Sequence, residues 1–111
     1  MNINIKNSLL VIEEFRKYQS NIEGTAISLF LTIALENKDK GIPMESLSKK
    51  LNIAQSSVSR NVTKFLKLER NINTKIDFLE ASEDPYNRTR KLVRLSTKGK
   101  VFIKQLQSKL L

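Results

Sequence analysis

The sequence predicts a mostly helical α+β domain, and three observations carry that prediction. Apolar residues recur every three or four positions through five separate stretches, the spacing of amphipathic helices. In the C-terminal third, two short β-rich runs flank Asp84-Pro85-Tyr86-Asn87, a turn sequence. A chain of 111 residues builds one hydrophobic core and little more, so residues 1–111 read as a single domain.

Ile5, Leu9, Ile12 and Phe15 define one face of a first helix, with Leu10, Val11 and Tyr18 left for a second contact. Thr25 is placed to cap a second helix over 26–36. That helix is apolar nearly all round, with Ile27, Leu29, Phe30, Leu31, Ile33 and Leu35, as suits the centre of a core. A polar turn over 37–41 follows. Ile42-Pro43 reads as a short extended piece, because proline lacks a donor and keeps its predecessor out of the helical region.

Met44, Leu47 and Leu51 form the apolar stripe of a third helix, with Lys49 and Lys50 outward. Asn52 tolerates the left-handed backbone of a sharp turn, and Ile53 points inward. A fourth helix starts at Gln55, with Val58, Val62, Phe65 and Leu66 as its buried positions. Gln55, Ser56, Ser57, Ser59, Arg60, Asn61, Thr63, Lys64 and Lys67 occupy its remaining surface, which is small, polar and basic with no acid.

Residues 69–75 form a polar connection, and residues 76–81 and 91–95 are the expected strands of a hairpin. Strict alternation puts Val93 and Leu95 on one side with Lys91, and Arg90 and Arg94 on the other. Thr97 is the expected cap of a last helix whose Phe102, Ile103, Leu106 and Leu110 make one apolar face.

Charge narrows the range of functions. The net charge is +9, yet residues 1–48 hold five basic and six acidic side chains while residues 49–111 hold fifteen and five. Two stretches, 49–68 and 85–111, contain no acid at all. Such a concentration of one sign suits a polyanion-binding surface better than a merely solvated face. The chain has no cysteine and no histidine, which removes thiolate and imidazole catalysis, structural zinc and disulfide frameworks. Only three glycines are present and none forms a phosphate loop, so an enzyme ranks last and no cofactor is expected. Leu9 to Ile12 is stopped by Glu13 and Glu14, unlike a signal peptide. The longest apolar stretch, 26–35, falls short of the ~20 residues that span a bilayer, so no membrane partner and a cytoplasmic location are expected.

Helix, helix, short strand, helix, tight turn, helix, hairpin, helix is the order of a winged helix-turn-helix. Its second turn-helix fits the major groove of B-DNA, where short polar side chains permit close approach. Ser56, Ser57 and Ser59 suit that approach; Gln55 can pair two-pronged with adenine, and Arg60 with guanine or a phosphate. Arg88 and Arg90, near the hairpin tip, are placed for backbone or minor groove. Tyr86 has two readings, stacking on a sugar or base or covering its own hairpin.

Residues 42–66, IPMESLSKKLNIAQSSVSRNVTKFL, with EDPYNRTRKLVRLSTKGK over 83–100, resemble the winged-helix regulators of the multiple-antibiotic-resistance (MarR) family, especially the shorter members found in phages and mobile elements. The resemblance spans about residues 26–107. It implies a homodimer, a recognition helix over 55–67 and a wing whose tip arginine matches Arg88. The chain departs from the family pattern at Ala54, where a serine usually caps the recognition helix, at Asn87, where an acid usually precedes the wing arginine, and at Asn61, often an apolar position. Asn87 joins Gln55, Ser56, Ser57, Ser59, Arg60, Lys64, Arg88 and Arg90 as the expected DNA-binding set.

The expected function is a sequence-specific double-stranded DNA-binding regulator, a homodimeric repressor paired through residues 1–22 and 97–111. Leu10, Val11, Val101, Leu110 and Leu111 are apolar beyond what one small core needs. The alternatives are a plasmid or phage replication or partition protein, and a winged helix that binds RNA or protein. Nothing in the sequence marks a pocket for a small-molecule effector.

Overall fold

The computed structural model describes residues 3–66 and 76–110. Lys67, Leu111 and the connection over 69–75 lie outside the described residues. The order of elements is α1 (Ile3–Arg16), α2 (Gly24–Glu36), β1 (Ile42–Pro43), α3 (Met44–Leu51), α4 (Gln55–Thr63), β2 (Leu79–Asp84), β3 (Asn87–Leu95) and α5 (Thr97–Lys109). This is a mostly helical α+β winged helix-turn-helix, as the periodicities predict. Among the described residues no helix is long and apolar enough to cross a membrane.

The core is organised around all five phenylalanines of the chain, each buried. Phe30 of α2 lies within 6 Å, centroid to centroid, of Phe15, Phe65, Phe78 and Phe102, and Phe78 stacks on Phe102 at 4.6 Å. Leu29, Ile33, Leu47, Val58, Val62 and Val93 fill in around these rings. Rings that meet edge-on or offset gain about 0.5–1.5 kcal/mol per pair beyond their burial. Tyr18, just past α1, closes the cluster edge-on against Phe78 and Phe102.

α1 departs from expectation. Phe15 is buried, but Ile5, Leu9 and Ile12 of the same predicted face are 58%, 59% and 44% exposed. It is Leu10 and Val11, assigned to a second contact, that pack partly on the core. α2 is buried at Ala26, Leu29, Phe30 and Ile33, while Leu35 stands in solvent. Its cap position is Glu23, without a side-chain bond, so Thr25 lies inside the helix and caps nothing.

Asn52 ends α3 in the left-handed conformation (φ 56°), as expected. The turn into α4 is clamped by Ser48, whose carbonyl accepts from Ile53 N at 3.1 Å and whose Oγ donates to Ile53 O at 2.6 Å. α4 ends at Thr63, short of the expected Lys67, and passes through tight turns in which Phe65 N and Leu66 N donate to Val62 O and Thr63 O. Phe65 O then accepts from both Phe78 N and Leu79 N, tying the end of α4 to the start of β2.

The sheet has the order β1-β3-β2, all antiparallel, with Ile42 opposite Val93 and Leu79 opposite Leu95. Both hairpin strands extend further toward the turn than predicted, and residues 76–78 precede the ladder instead of joining it. The register breaks near the tip: Glu83 faces Lys91 but Asp84 faces Asn87, leaving Arg88, Thr89 and Arg90 bulged on β3. α5 is capped by Ser96, not Thr97. Ser96 Oγ accepts from Gly99 N at 3.0 Å and donates to Asp77 O at 2.6 Å. Gly99 is required there, because a Cβ would come within 2.1 Å of Phe78 O.

Candidate nucleic-acid interface

α4 presents its first turn outward because Val58 and Val62 are buried on the opposite side. Gln55, Ser56, Ser59 and Arg60 are exposed, and Ser57 is half-buried. Ala54 supplies no capping side chain, so the first amides of α4 have no side-chain acceptor. Polar identity misled the reading of Asn61, which is not on the surface but 1% exposed. Its Nδ2 donates to Ser57 O at 2.8 Å, one turn back in the helix, while Oδ1 has no partner among the described residues.

The hairpin tip stands beside this turn. Asp84 Oδ1 accepts from Tyr86 N at 2.9 Å, and Asn87 Oδ1 accepts from Thr89 N and Thr89 Oγ1 at 3.2 and 2.6 Å, so side chains of the turn fix its backbone. Between helix and hairpin lies an open groove of about 400 Å³, lined by Met44, Glu45, Gln55, Ser56, Ser59, Asn87, Thr89, Arg90 and Lys91. Five of the nine expected DNA-binding residues meet here: Gln55, Ser56, Ser59, Asn87 and Arg90.

The other four are not in the groove. Arg60 and Arg88 are exposed beside it, and neither forms an ion pair among the described residues. Ser57 spends its carbonyl on Asn61. Lys64 turns to Glu23 at 3.4 Å, beside the start of α2. Sequence reasoning missed Glu45, Thr89 and Lys91. Arg90 and Lys91 were expected on opposite faces, but the bulge brings both into the groove. Glu45 is the only acid among the described residues lining the groove, and it binds Arg90 at 2.5 Å. A pairing of α3 with β3 leaves no local trace in the sequence.

A helix-turn-helix with a hairpin packed beside its second helix defines the winged helix-turn-helix class. Solved structures that resemble it include MarR and MepR proteins. A MepR variant from S. aureus bound to an oligodeoxyribonucleotide superposes with a TM-score of 0.67 at 18% identity, over 96% of this chain and 69% of that one. A MarR variant from E. coli complexed with operator DNA gives 0.65 at 19% identity, over 96% and 66%. A MarR transcriptional regulator from Methanosarcina mazei gives 0.63 at 19% identity, over 96% and 67%. The likeness is one of fold. No protein-family model matches the sequence, and no curated protein matches it.

Proposed function

We propose that this chain is a sequence-specific double-stranded DNA-binding transcriptional regulator, a cytoplasmic homodimeric repressor acting without cofactor or catalysis. The observation that carries the reading is the groove in which the first turn of α4 and the bulged hairpin tip converge, polar throughout apart from Met44. An α-helix with a small polar face enters a major groove, and a basic hairpin beside it meets the flanking phosphates. Arg60, Arg88 and Lys91 bring cations that no carboxylate of the described residues neutralises. Two structural relatives were solved on DNA.

The dimer reading rests on the exposed Ile5, Leu9 and Ile12 of α1 and Val101 of α5, apolar side chains left in solvent by a single copy. Residues 1–22 and 97–111 would then pair across a two-fold axis and present two copies of α4 to half-sites about one helical turn apart. Selection of bound sequences from a random duplex pool tests the sequence-specific DNA-binding part of the reading, and enrichment of one pseudo-palindromic site is the expected result. A preference for RNA, or no enrichment, would replace it with the RNA- or protein-binding alternative. Sedimentation equilibrium separates the dimer from the 12.8 kDa monomer.

A further inference from the structure

Turn tyrosines commonly lay their rings across their own hairpin, because the ring carries about 150–250 Å² of surface that burial removes from water. Tyr86 does not do so. It is 96% exposed, more than any other large hydrophobic side chain among the described residues. Its backbone is nonetheless pinned, by Asp84 on one side and the Asn87–Thr89 bonds on the other. Pro85 in front of it restricts the turn further. An aromatic ring is therefore held out in water on a fixed mount.

Tyr86 is not among the residues that line the groove beside α4, so its ring stands apart from the surface that the helix presents. Its exposed neighbours are Pro85, Asn87 and Arg88, which form no apolar patch of the kind a protein partner covers. They do suit a polyanion with apolar sugar faces between its charges.

We infer that Tyr86 is a DNA-contacting residue of the hairpin tip, its ring lying against deoxyribose edges in the minor groove beside the segment read by α4. The inference rests on the DNA-binding reading above. The hydroxyl decides between sugar edges and insertion between base pairs. Wedged into the stack it would be buried without a partner, whereas along the groove wall it reaches a phosphate oxygen. The contact is not ionic, so it adds affinity without adding salt dependence.

Tyr86 can be observed directly, because the chain has two tyrosines and no tryptophan. In Tyr18→Phe protein, titration with a random-sequence duplex should quench the remaining tyrosine emission. In the otherwise unchanged chain, Tyr86→Ala should bind selected and random duplexes about tenfold more weakly, with the slope of log affinity against log salt unaltered. Tyr86→Phe should recover most of that loss. Wild-type affinity in Tyr86→Ala, or unquenched emission at saturating duplex, overturns the inference while leaving the DNA-binding reading intact. Failure of the wild-type chain to bind any duplex overturns both. Unstacking of a 2-aminopurine step beside the site would refute the sugar-edge placement in favour of a wedge.

Discussion

Glu45 Oε1 and Arg90 Nη2 meet at 2.5 Å, joining the first turn of α3 to the bulged end of β3. Both side chains are about two-fifths exposed, at 42% and 41%, and Arg90 also faces Asp84 at 3.9 Å. At such exposure the pair adds little to stability, about 0–1 kcal/mol. Its effect is on geometry and charge: it adds a link between the hairpin and the helix-turn-helix beside the β1–β3 ladder and holds one of the groove's two cations, while Lys91 forms no ion pair among the described residues.

Replacing Glu45 with glutamine should release Arg90 toward a phosphate. Random duplexes are then bound more tightly, and the salt slope steepens by about 0.9 for one added contact. Discrimination between selected and random sites should narrow as the hairpin loses its brace. Equilibrium titrations across a salt series measure all three, and an unchanged slope would mean that Arg90 stays off the backbone.

Arg88 should behave differently, because no carboxylate among the described residues pairs with it. Arg88→Ala should weaken selected and random duplexes by a similar factor and lower the slope by about 0.9. A loss confined to sites with an A·T tract would instead mark insertion into a narrow minor groove.

Gln55 and Arg60 are exposed on the outer side of α4, and the proposed function has them read base edges. Alanine at either should cost about 1–3 kcal/mol on the selected site and relax preference at one position per half-site. Equal losses on selected and random duplexes would reassign the residue to a backbone contact.

Asn61 has a buried Oδ1 with no partner among the described residues, and leaving such an oxygen unpaired costs more than its one bond to Ser57 returns. Asn61→Leu, of similar volume, should therefore stabilise the fold by about 1 kcal/mol and raise the melting temperature by about 4 °C. A lowered midpoint in thermal denaturation would indicate that the oxygen has a partner in solution.

Acid should loosen the tie between α1 and α5. The Lys109 ammonium at 2.9 Å, helped by Lys17 at 3.1 Å, holds the Glu14 carboxyl below the ordinary glutamate range, and Glu14 in turn holds Lys109 above the ordinary lysine range. A depressed carboxyl stabilises the folded state above its unfolded pKa, and that contribution is lost as pH falls through the folded value. A raised amine stabilises below its unfolded pKa and loses its contribution as pH climbs through the folded value. A small gap in melting temperature between the wild type and Glu14→Gln should thus be present at neutral pH and close as the pH drops below about 4. A gap that persists in acid would locate the effect in packing instead.

Local chemistry made much of this architecture legible. Asn52 marks the turn before α4, Ile42-Pro43 the short strand, and the Asp-Pro turn the hairpin, because each depends on backbone preferences of its own few residues. What escaped depends on partners distant in sequence. The Ile5, Leu9 and Ile12 spacing reveals an apolar face but not whether this chain's core covers it. Ser96 prevails over Thr97 as the cap because its Oγ also reaches Asp77 O across the sheet end. Asn61 is buried against its polar character because a helix carbonyl lies within reach of its amide. The bulge at 88–90, which aims Arg90 at Glu45, arises from strand register, and alternation alone cannot foresee it.

The five phenylalanine rings also limit how the chain can be divided. Phe15 belongs to α1 and Phe102 to α5, yet both rings lie against Phe30, beneath the elements that carry the groove. A fragment cut back to the helix-turn-helix and hairpin would expose that cluster to water and lose two of its rings. Removing either Phe15 or Phe102 by truncation is therefore expected to cost folding before it costs recognition.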